Sequence, residues 1–174
     1  MRARGIIDTR NAAKPHQLDQ VDMRILSMLQ KDCSIAADRI AKRANISPSA
    51  VQRRIKRMRR DKTIEGFVAV VDPKAVGQPL TFIAALEIER ERKDLLVQLQ
   101  KWIDREDAVQ QAFYVTGTAD IILVILCADV ESYDVISQHL VEDNPNVRRV
   151  TTSITLQVYK RGLSVPFEKM IKAP

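Results

Sequence analysis

The sequence predicts an α+β protein with an N-terminal winged helix-turn-helix and a C-terminal ferredoxin-like βαββαβ domain. A helical apolar period gives way to a β-rich stretch near residue 64. The second half then reads strand, helix, strand, strand, helix, strand. The charge divides at the same place. Residues 1–66 hold 16 Lys and Arg against 7 Asp and Glu, a net of +9, whereas residues 67–174 hold 12 against 15, a net of −3.

Composition breaks divide the 174 residues into five segments. We predict a mobile N-terminal arm (1–16), the winged helix-turn-helix (17–66), a linker strand and hinge (67–79), the ferredoxin-like domain (80–160) and a C-terminal tail (161–174). The arm has no sustained period, and Gly77 and Pro79 mark the hinge.

Three helices are predicted in the first domain, over residues 18–31, 35–44 and 48 to about 61. Asp19, Ser34 and Ser47 are the expected N-caps, because their side-chain oxygens accept hydrogen bonds from the first backbone amides of a helix. The β-rich residues 64–71 predict a short wing followed by a strand, which Asp72-Pro73 ends.

Four strands and two helices are predicted in the second domain. The strands cover residues 80–88, 109–115, 120–128 and 150–158, and the helices cover 92–104 and 131–141. The segment 120–128, DIILVILCA, is apolar on both faces, whereas the two helices of this fold cover only one face of the sheet. A second copy of the domain is the simplest cover for the other face, so the sequence predicts a homodimer.

The third helix is strongly basic. Seven of the ten residues from Arg53 to Lys62 are Lys or Arg, with almost no acid between them. At helical spacing, Ser49, Arg53, Lys56, Arg57 and Arg60 lie opposite the apolar side. A short helix and a tight turn precede it, so it is the expected recognition helix of a helix-turn-helix that binds double-stranded DNA.

Position along this helix predicts the role of each residue. Those near its start are expected to reach base edges, and Gln and Arg pair there with adenine and guanine. Later arginines are expected to contact phosphate. The predicted DNA-binding residues are Ser47, Ser49, Ala50, Gln52, Arg53, Arg54, Arg57 and Arg60.

The segments LDQVDMRILSMLQKD, ISPSAVQRRIKRM and IEGFVAVVDPKAVG, in that order, resemble the leucine-responsive/asparagine regulator (Lrp/AsnC) family. The resemblance covers about residues 17–160. It implies a transcriptional regulator that dimerises through the sheet domain and often forms larger assemblies such as octamers. It also implies that small molecules, usually amino acids, bind between dimers.

The family's effector loop matches Thr116, Gly117, Thr118, Ala119 and Asp120, which the resemblance makes the candidate effector-binding residues. Thr118 stands where the family has an acid, so the usual carboxylate partner for a ligand ammonium is absent. The alternative is structural, with Gly117 permitting a turn and Asp120 capping a strand. A second departure is Lys62-Thr63, where the family has Gly and an apolar residue, so the helix end is expected to close differently.

Other site chemistry is poorly represented. Cys33 and Cys127 are far apart and are read as free thiols, and neither His16 nor His139 belongs to a metal-binding or catalytic-triad pattern in sequence. We therefore expect no catalytic residue, metal or cofactor. With no apolar run of about 20 residues and no secretory signal, the expected location is the cytoplasm.

Two alternatives remain open. Sirohaem decarboxylases resemble this chain in their two-domain layout. They act on a tetrapyrrole, for which they need positioned His or Arg residues in the sheet-domain cleft. The other alternative is a regulator without an effector that acts only through its assembly, for which the Thr118 departure leaves room.

Overall fold

A computed structural model describes residues 17–89 and 93–167. Their contacts form two compact units. The first contains residues 17–69 together with 160–167, and the second contains the described residues from 70 to 159. The predicted arm, the predicted start of the fourth helix at Arg92 and residues 168–174 of the predicted tail lie outside the described residues.

The first unit contains three helices, α1 (Gln20–Lys31), α2 (Ala37–Ala44) and α3 (Pro48–Arg60). The predicted cap of α1 is confirmed, because the Asp19 carboxylate accepts a 2.8 Å hydrogen bond from the Asp22 amide and the Asp22 carboxylate accepts one from the Asp19 amide. The apolar sides of the helices meet in a core of Ile25, Leu26, Leu29, Ile40, Ala41, Val51 and Met58.

The predicted cap of α2 is wrong. The Ser34 hydroxyl donates to the Asp32 carboxylate at 2.6 Å, and α2 starts only after Ala36, which has no side chain that can cap it. Asp32 thus engages Ser34 in a local turn, which serine and aspartate favour when a partner lies two residues away.

The predicted wing strand is also wrong for the single chain. Residues 61–79 form no strand, and Val70 is 80% exposed. A strand needs a neighbour for its backbone hydrogen bonds, and nothing in the described chain supplies one here. A 3-10 turn, Pro73–Val76, follows and ends at Gly77, whose φ of 77° is readily accessible to glycine.

Residues 160–167, from the predicted tail and its border, pack in the first unit. The Gln30 side chain donates to the Val165 carbonyl at 3.1 Å and accepts from the Val165 amide at 2.6 Å. Phe167 is partly buried against the helical core. This part of the tail is therefore anchored by both polar and apolar contacts.

The second unit confirms the predicted βαββαβ order, with β1 (Leu80–Ile88), α4 (Lys93–Arg105), β2 (Val109–Tyr114), β3 (Ile121–Cys127), α5 (Val130–Asp143) and β4 (Val147–Ile154). The sheet is antiparallel, in the order β2-β3-β1-β4. β4 begins three residues earlier and ends four residues earlier than predicted. Leu156, expected in the strand, lies beyond its end and is fully exposed.

One face of this sheet carries the core. Leu99 and Ile103 of α4 and Tyr133 and Leu140 of α5 pack on alternate residues of β1 and β3, and the Tyr133 ring stacks on Phe82 at 4.0 Å. The opposite residues of β3, Ile122, Val124 and Leu126, are only partly buried. In the register of the sheet they adjoin Phe113, Ile83 and Thr81 on the same face.

Candidate nucleic-acid interface and effector loop

The start of α3 is set by local chemistry. Ser47 lies in an extended conformation, and its hydroxyl accepts a hydrogen bond from the Ala50 amide at 3.2 Å. Pro48 occupies the first turn, where its missing N–H costs nothing. The Ser47 and Ser49 hydroxyls lie 3.0 Å apart. The predicted cap is thus confirmed, and both serines are exposed at the helix start.

Burial fixes which side of α3 faces outward. Val51 and Met58 are buried in the helical core. The remaining long side chains then fall into two groups, one exposed and one partly buried. The exposed group consists of Gln52, Arg53, Lys56, Arg59 and Arg60, and the partly buried group contains Arg54 and Arg57.

Arg54 and Arg57 form ion pairs with α1 and its N-cap. Arg54 Nη1 donates to Asp22 Oδ1 at 2.8 Å and to Asp19 Oδ2 at 2.6 Å, and Arg57 Nη2 donates to Asp22 Oδ2 at 2.5 Å. Arg57 was expected on the outer face of the helix, and that expectation is wrong. The guanidinium groups of both arginines are engaged within the first unit.

The ion pair between Arg54 and Asp19 affects the pKa of both groups. The pKa of Arg54 is raised, first by its hydrogen bond to Asp22 and then by the one to Asp19. The pKa of Asp19 is lowered: partial burial opposes the change, but the Asp22 amide and the Arg54 guanidinium outweigh it. Both groups are therefore held in their charged forms.

The end of α3 closes at Lys62. Lys62 adopts a left-handed conformation with φ of 60°, its amide bonds back to the Arg59 carbonyl at 3.3 Å, and the Ile64 amide bonds to the Met58 carbonyl at 3.0 Å. Lys62 takes the conformation that glycine adopts at least cost. Past this turn, the Phe67 ring lies 5.7 Å from the Arg59 guanidinium.

The candidate effector loop connects β2 to β3. Gly117 has φ of 124°, a conformation that other residues rarely adopt, and Thr116 and Thr118 are exposed beside it. Asp120 is buried at the end of the loop, where its carboxylate accepts from the Ile88 amide at 2.8 Å. Its backbone pairs with Leu86 and Val115, each at 2.8 Å. Asp120 thus joins the loop to β1.

Sequence reasoning missed the role of Asp22. Its position in the first turn of α1 predicts only a favourable acid near the positive end of the helix dipole, whereas the structure buries its side chain to 1% exposure between two arginines. One available signal was its position four residues before Leu26 and three before Ile25, on the same side of α1 as the core.

The other candidate groups remain separate. Cys33 is exposed and Cys127 is buried, where loss of solvation raises the pKa of the thiol. His139 is exposed on α5, and His16 lies outside the described residues. Within residues 17–89 and 93–167, no three metal-binding side chains are grouped so that they could hold an ion. No helix in these ranges has the length and apolar character needed to cross a membrane.

Comparison with known proteins matches both units. Residues 18–59 match the AsnC-type helix-turn-helix domain, and residues 81–165 match the Lrp/AsnC ligand binding domain. An uncharacterised HTH-type transcriptional regulator of Sinorhizobium fredii is 34% identical, over 87% of this chain and 90% of that protein. The transcriptional regulator AzlB of Bacillus subtilis is 32% identical, over 88% and 98%.

A solved structure has the same fold. It is a Neisseria meningitidis transcriptional regulator in complex with L-Met, 23% identical, with a TM-score of 0.80 over 88% of this chain and 99% of that one. The two matched domains and the relatives above 30% identity agree with the basic helix-turn-helix and the βαββαβ sheet. The chain belongs to the Lrp/AsnC family of DNA-binding transcriptional regulators.

Proposed function

We propose that this regulator reads its DNA site through the exposed side of α3, near the start of the helix. Ser49, Gln52 and Arg53 lie in the first two turns, are exposed, and have the hydrogen-bonding groups that recognise base edges. Ser47 adds a phosphate contact beside its capping bond, and the Ala50 methyl group, which is partly exposed, meets a thymine methyl. The exposed, unneutralised helix start is the observation that carries the proposal.

Phosphate contacts come from later residues on the same side. Lys56 and Arg60 are exposed there, although Arg60 also pairs with Asp61 at 3.0 Å. That pair is solvent-exposed and worth little, so a phosphate can replace it. Arg54 and Arg57, which the sequence predicted to bind DNA, are not among the proposed contacts, because both form ion pairs with Asp22.

Binding of the purified protein to the DNA upstream of its own gene tests this proposal. Arg53→Ala is expected to weaken specific binding by about 1–3 kcal/mol if the residue contacts a guanine. Arg105→Ala, which removes an exposed arginine from α4, is the control and leaves affinity unchanged. Equal affinity of wild type and Arg53→Ala at every salt concentration would refute the role of this helix face.

We propose further that the regulator is a two-fold symmetric dimer built on the open face of the sheet. Ile83, Ile122, Val124 and Leu126 give this face an apolar centre, and Phe113 on β2 is half-exposed beside Ile122. A second copy buries all of these residues and holds two recognition helices at one fixed spacing. Such dimers can assemble further into tetramers or octamers.

An amino acid or a related small molecule is the proposed effector, bound at Thr116–Asp120 between dimers. The L-Met bound by the structural relative supports this class of ligand. The loop offers two exposed hydroxyls and the Gly117 and Ala119 amides, whereas the Asp120 carboxylate accepts a bond from the sheet. The ligand acts by favouring one assembly over another, which changes DNA affinity.

A thermal-shift series with single amino acids, beginning with L-methionine, tests the effector proposal. A specific ligand raises the melting temperature, since it binds only the folded state, and Gly117→Val abolishes this rise because valine is strained at φ of 124°. If no amino acid shifts the wild type, the effector-independent alternative is favoured.

We favour the regulator over the sirohaem decarboxylase alternative, because both domains match a family of transcriptional regulators. That chemistry needs positioned His or Arg side chains in the cleft of the sheet domain. The only histidine among the described residues, His139, is exposed on α5.

A further inference from the structure

Asp22 is a buried acid whose two carboxylate oxygens are both used. Oδ1 accepts from Arg54, and Oδ2 accepts from Arg57 and, at 3.2 Å, from the Asp19 amide. The Asp22 side chain is 1% exposed, whereas those of Arg54 and Arg57 are 23% and 26% exposed. The charge is therefore removed from water and compensated by α3 and the helix cap.

Burial makes this arrangement selective for one helix position. An ionised carboxylate without a partner is strongly disfavoured in the interior, so the paired state excludes positions of α3 that separate the groups. Arg54 and Arg57 are three residues apart and lie on the same side of α3. Together they set the rotation of α3 about its axis as well as its distance from α1.

Arg57 shows the same constraint from the other side. Its Nε is buried and has no hydrogen-bond partner among the described residues, so holding Arg57 in this position costs part of the solvation of its guanidinium. The ion pair with Asp22 offsets that cost. If the guanidinium were released from Asp22, each of its nitrogens could donate hydrogen bonds to water or to a DNA phosphate.

We propose that Asp22 is the positioning residue of the recognition helix, and that Arg54 and Arg57 hold this helix in register with the base edges and do not contact phosphate. The seven basic residues from Arg53 to Lys62 thus divide into an internal pair and an outer group. This inference rests on the proposed DNA face of α3, and a pair of matched variants distinguishes the failure of one from the failure of the other.

The matched variants are Arg53→Gln and Arg54→Gln, which make the same substitution at adjacent residues of one helix. The measured quantity is the slope of log affinity against log salt, whose magnitude falls by about 0.9 for each phosphate that the protein no longer neutralises. A dimer carries each substitution twice, so the expected change for Arg53→Gln is about 1.8 if Arg53 neutralises one phosphate as well as reading its base. Arg54→Gln is expected to keep the wild-type slope and to lose discrimination between specific and random DNA.

Each outcome has a distinct meaning. A slope change in Arg53→Gln alone supports both the DNA face and the internal role of Arg54. Equal changes in both variants overturn the inference and leave the DNA face standing. A slope change in Arg54→Gln alone, or unchanged slope and unchanged discrimination between specific and random DNA in both variants, contradicts the proposed DNA face and overturns the inference with it.

Asp22→Asn tests the positioning role directly. The amide is neutral and cannot compensate two guanidinium groups, so Arg54 and Arg57 become available to phosphate. We expect a steeper salt slope, tighter binding to random DNA and a smaller specific-to-random affinity ratio. Asp38→Asn, which removes the same charge from an exposed position on α2, is the control. We expect it to keep the wild-type ratio of specific to random DNA affinity.

A folded Asp22→Asn protein with the wild-type slope and affinity ratio would overturn the inference. Circular dichroism establishes whether the variant folds. If it does not, the Arg53→Gln and Arg54→Gln pair decides the question, because Arg57 still compensates Asp22 when Arg54 is replaced.

Discussion

At the scale of single residues, Lys62 has the least favourable backbone of the recognition helix. Its left-handed φ of 60° costs a residue with a Cβ about 1–2 kcal/mol relative to the right-handed region. The conformation persists because it closes α3 through the Arg59 and Met58 carbonyls. The helix end is therefore stabilised by hydrogen bonds at the expense of local strain.

Replacing Lys62 with glycine is expected to stabilise the protein by about 1 kcal/mol, because glycine adopts a positive φ without strain. Urea unfolding followed by circular dichroism measures the change in the free energy of unfolding. Lys62→Ala is the control, since it removes the same side chain and keeps the Cβ. Equal stabilisation by alanine would show that charge, and not the backbone, sets the effect.

Neighbouring residues in the sequence predicted the start of α3. Its orientation depends on contacts between residues far apart in the sequence, which could not be predicted. Ser47 and Pro48 are adjacent to the amides that they cap or release, so their roles follow from sequence alone. Asp22 lies 32 residues from Arg54 and 35 from Arg57. Basic residues at helical spacing indicate that one side of the helix is charged. Only the packing of α1 on α3 shows which arginines form internal ion pairs instead of belonging to that exposed side.

At the scale of elements, the two wrongly predicted strand segments share one physical cause. The wing segment 64–71 and residues 156–158 beyond β4 are rich in β-branched or apolar residues, yet they form no strand within the described chain. Strand preference reports how well a residue fits a paired, half-buried surface, and no strand among the described residues pairs with these segments. β1 and β3 were predicted closely, because they lie at the centre of the sheet.

The tail segment 160–167 is an element for which the sequence predicted no structural role. We expect Phe167→Ala to destabilise the helical unit by about 1–2 kcal/mol, because a partly buried aromatic ring leaves its core. Val165→Ala is the control, since Val165 bonds through its backbone and its side chain is exposed.

Two probes separate the units in this experiment. Trp102 is the only tryptophan and lies on α4 of the sheet unit, so its fluorescence reports that unit. Phe167→Ala should lower the midpoint of the unfolding transition followed by circular dichroism and leave the midpoint of the fluorescence transition unchanged. An unchanged helical transition would show that the tail contact contributes nothing to stability.

At the scale of the whole molecule, charge and apolar surface lie on different units. Residues 1–66 have a net charge of +9 and residues 67–174 a net charge of −3, and the open apolar sheet face belongs to the less basic half. This difference supports the proposal that the helical unit attracts DNA and that the sheet unit self-associates.

Val124→Asp tests the self-association that we propose. A carboxylate at the centre of the apolar face would be buried without a partner in the dimer, so we expect the variant to sediment as a monomer. Val141→Asp places the same charge on exposed α5 and should keep the wild-type mass. A wild-type protein that is monomeric at micromolar concentration would contradict the proposed dimer.

The most direct test of the central claim is hydroxyl-radical footprinting of the protein on the DNA upstream of its own gene. Two α3 helices held by one dimer predict two protected patches on the same face of the duplex, about 10 base pairs apart and related by an approximate palindrome. Arg53→Ala should lose both patches together. A single patch, or protection that does not depend on DNA sequence, would contradict recognition by a pair of helices at fixed spacing.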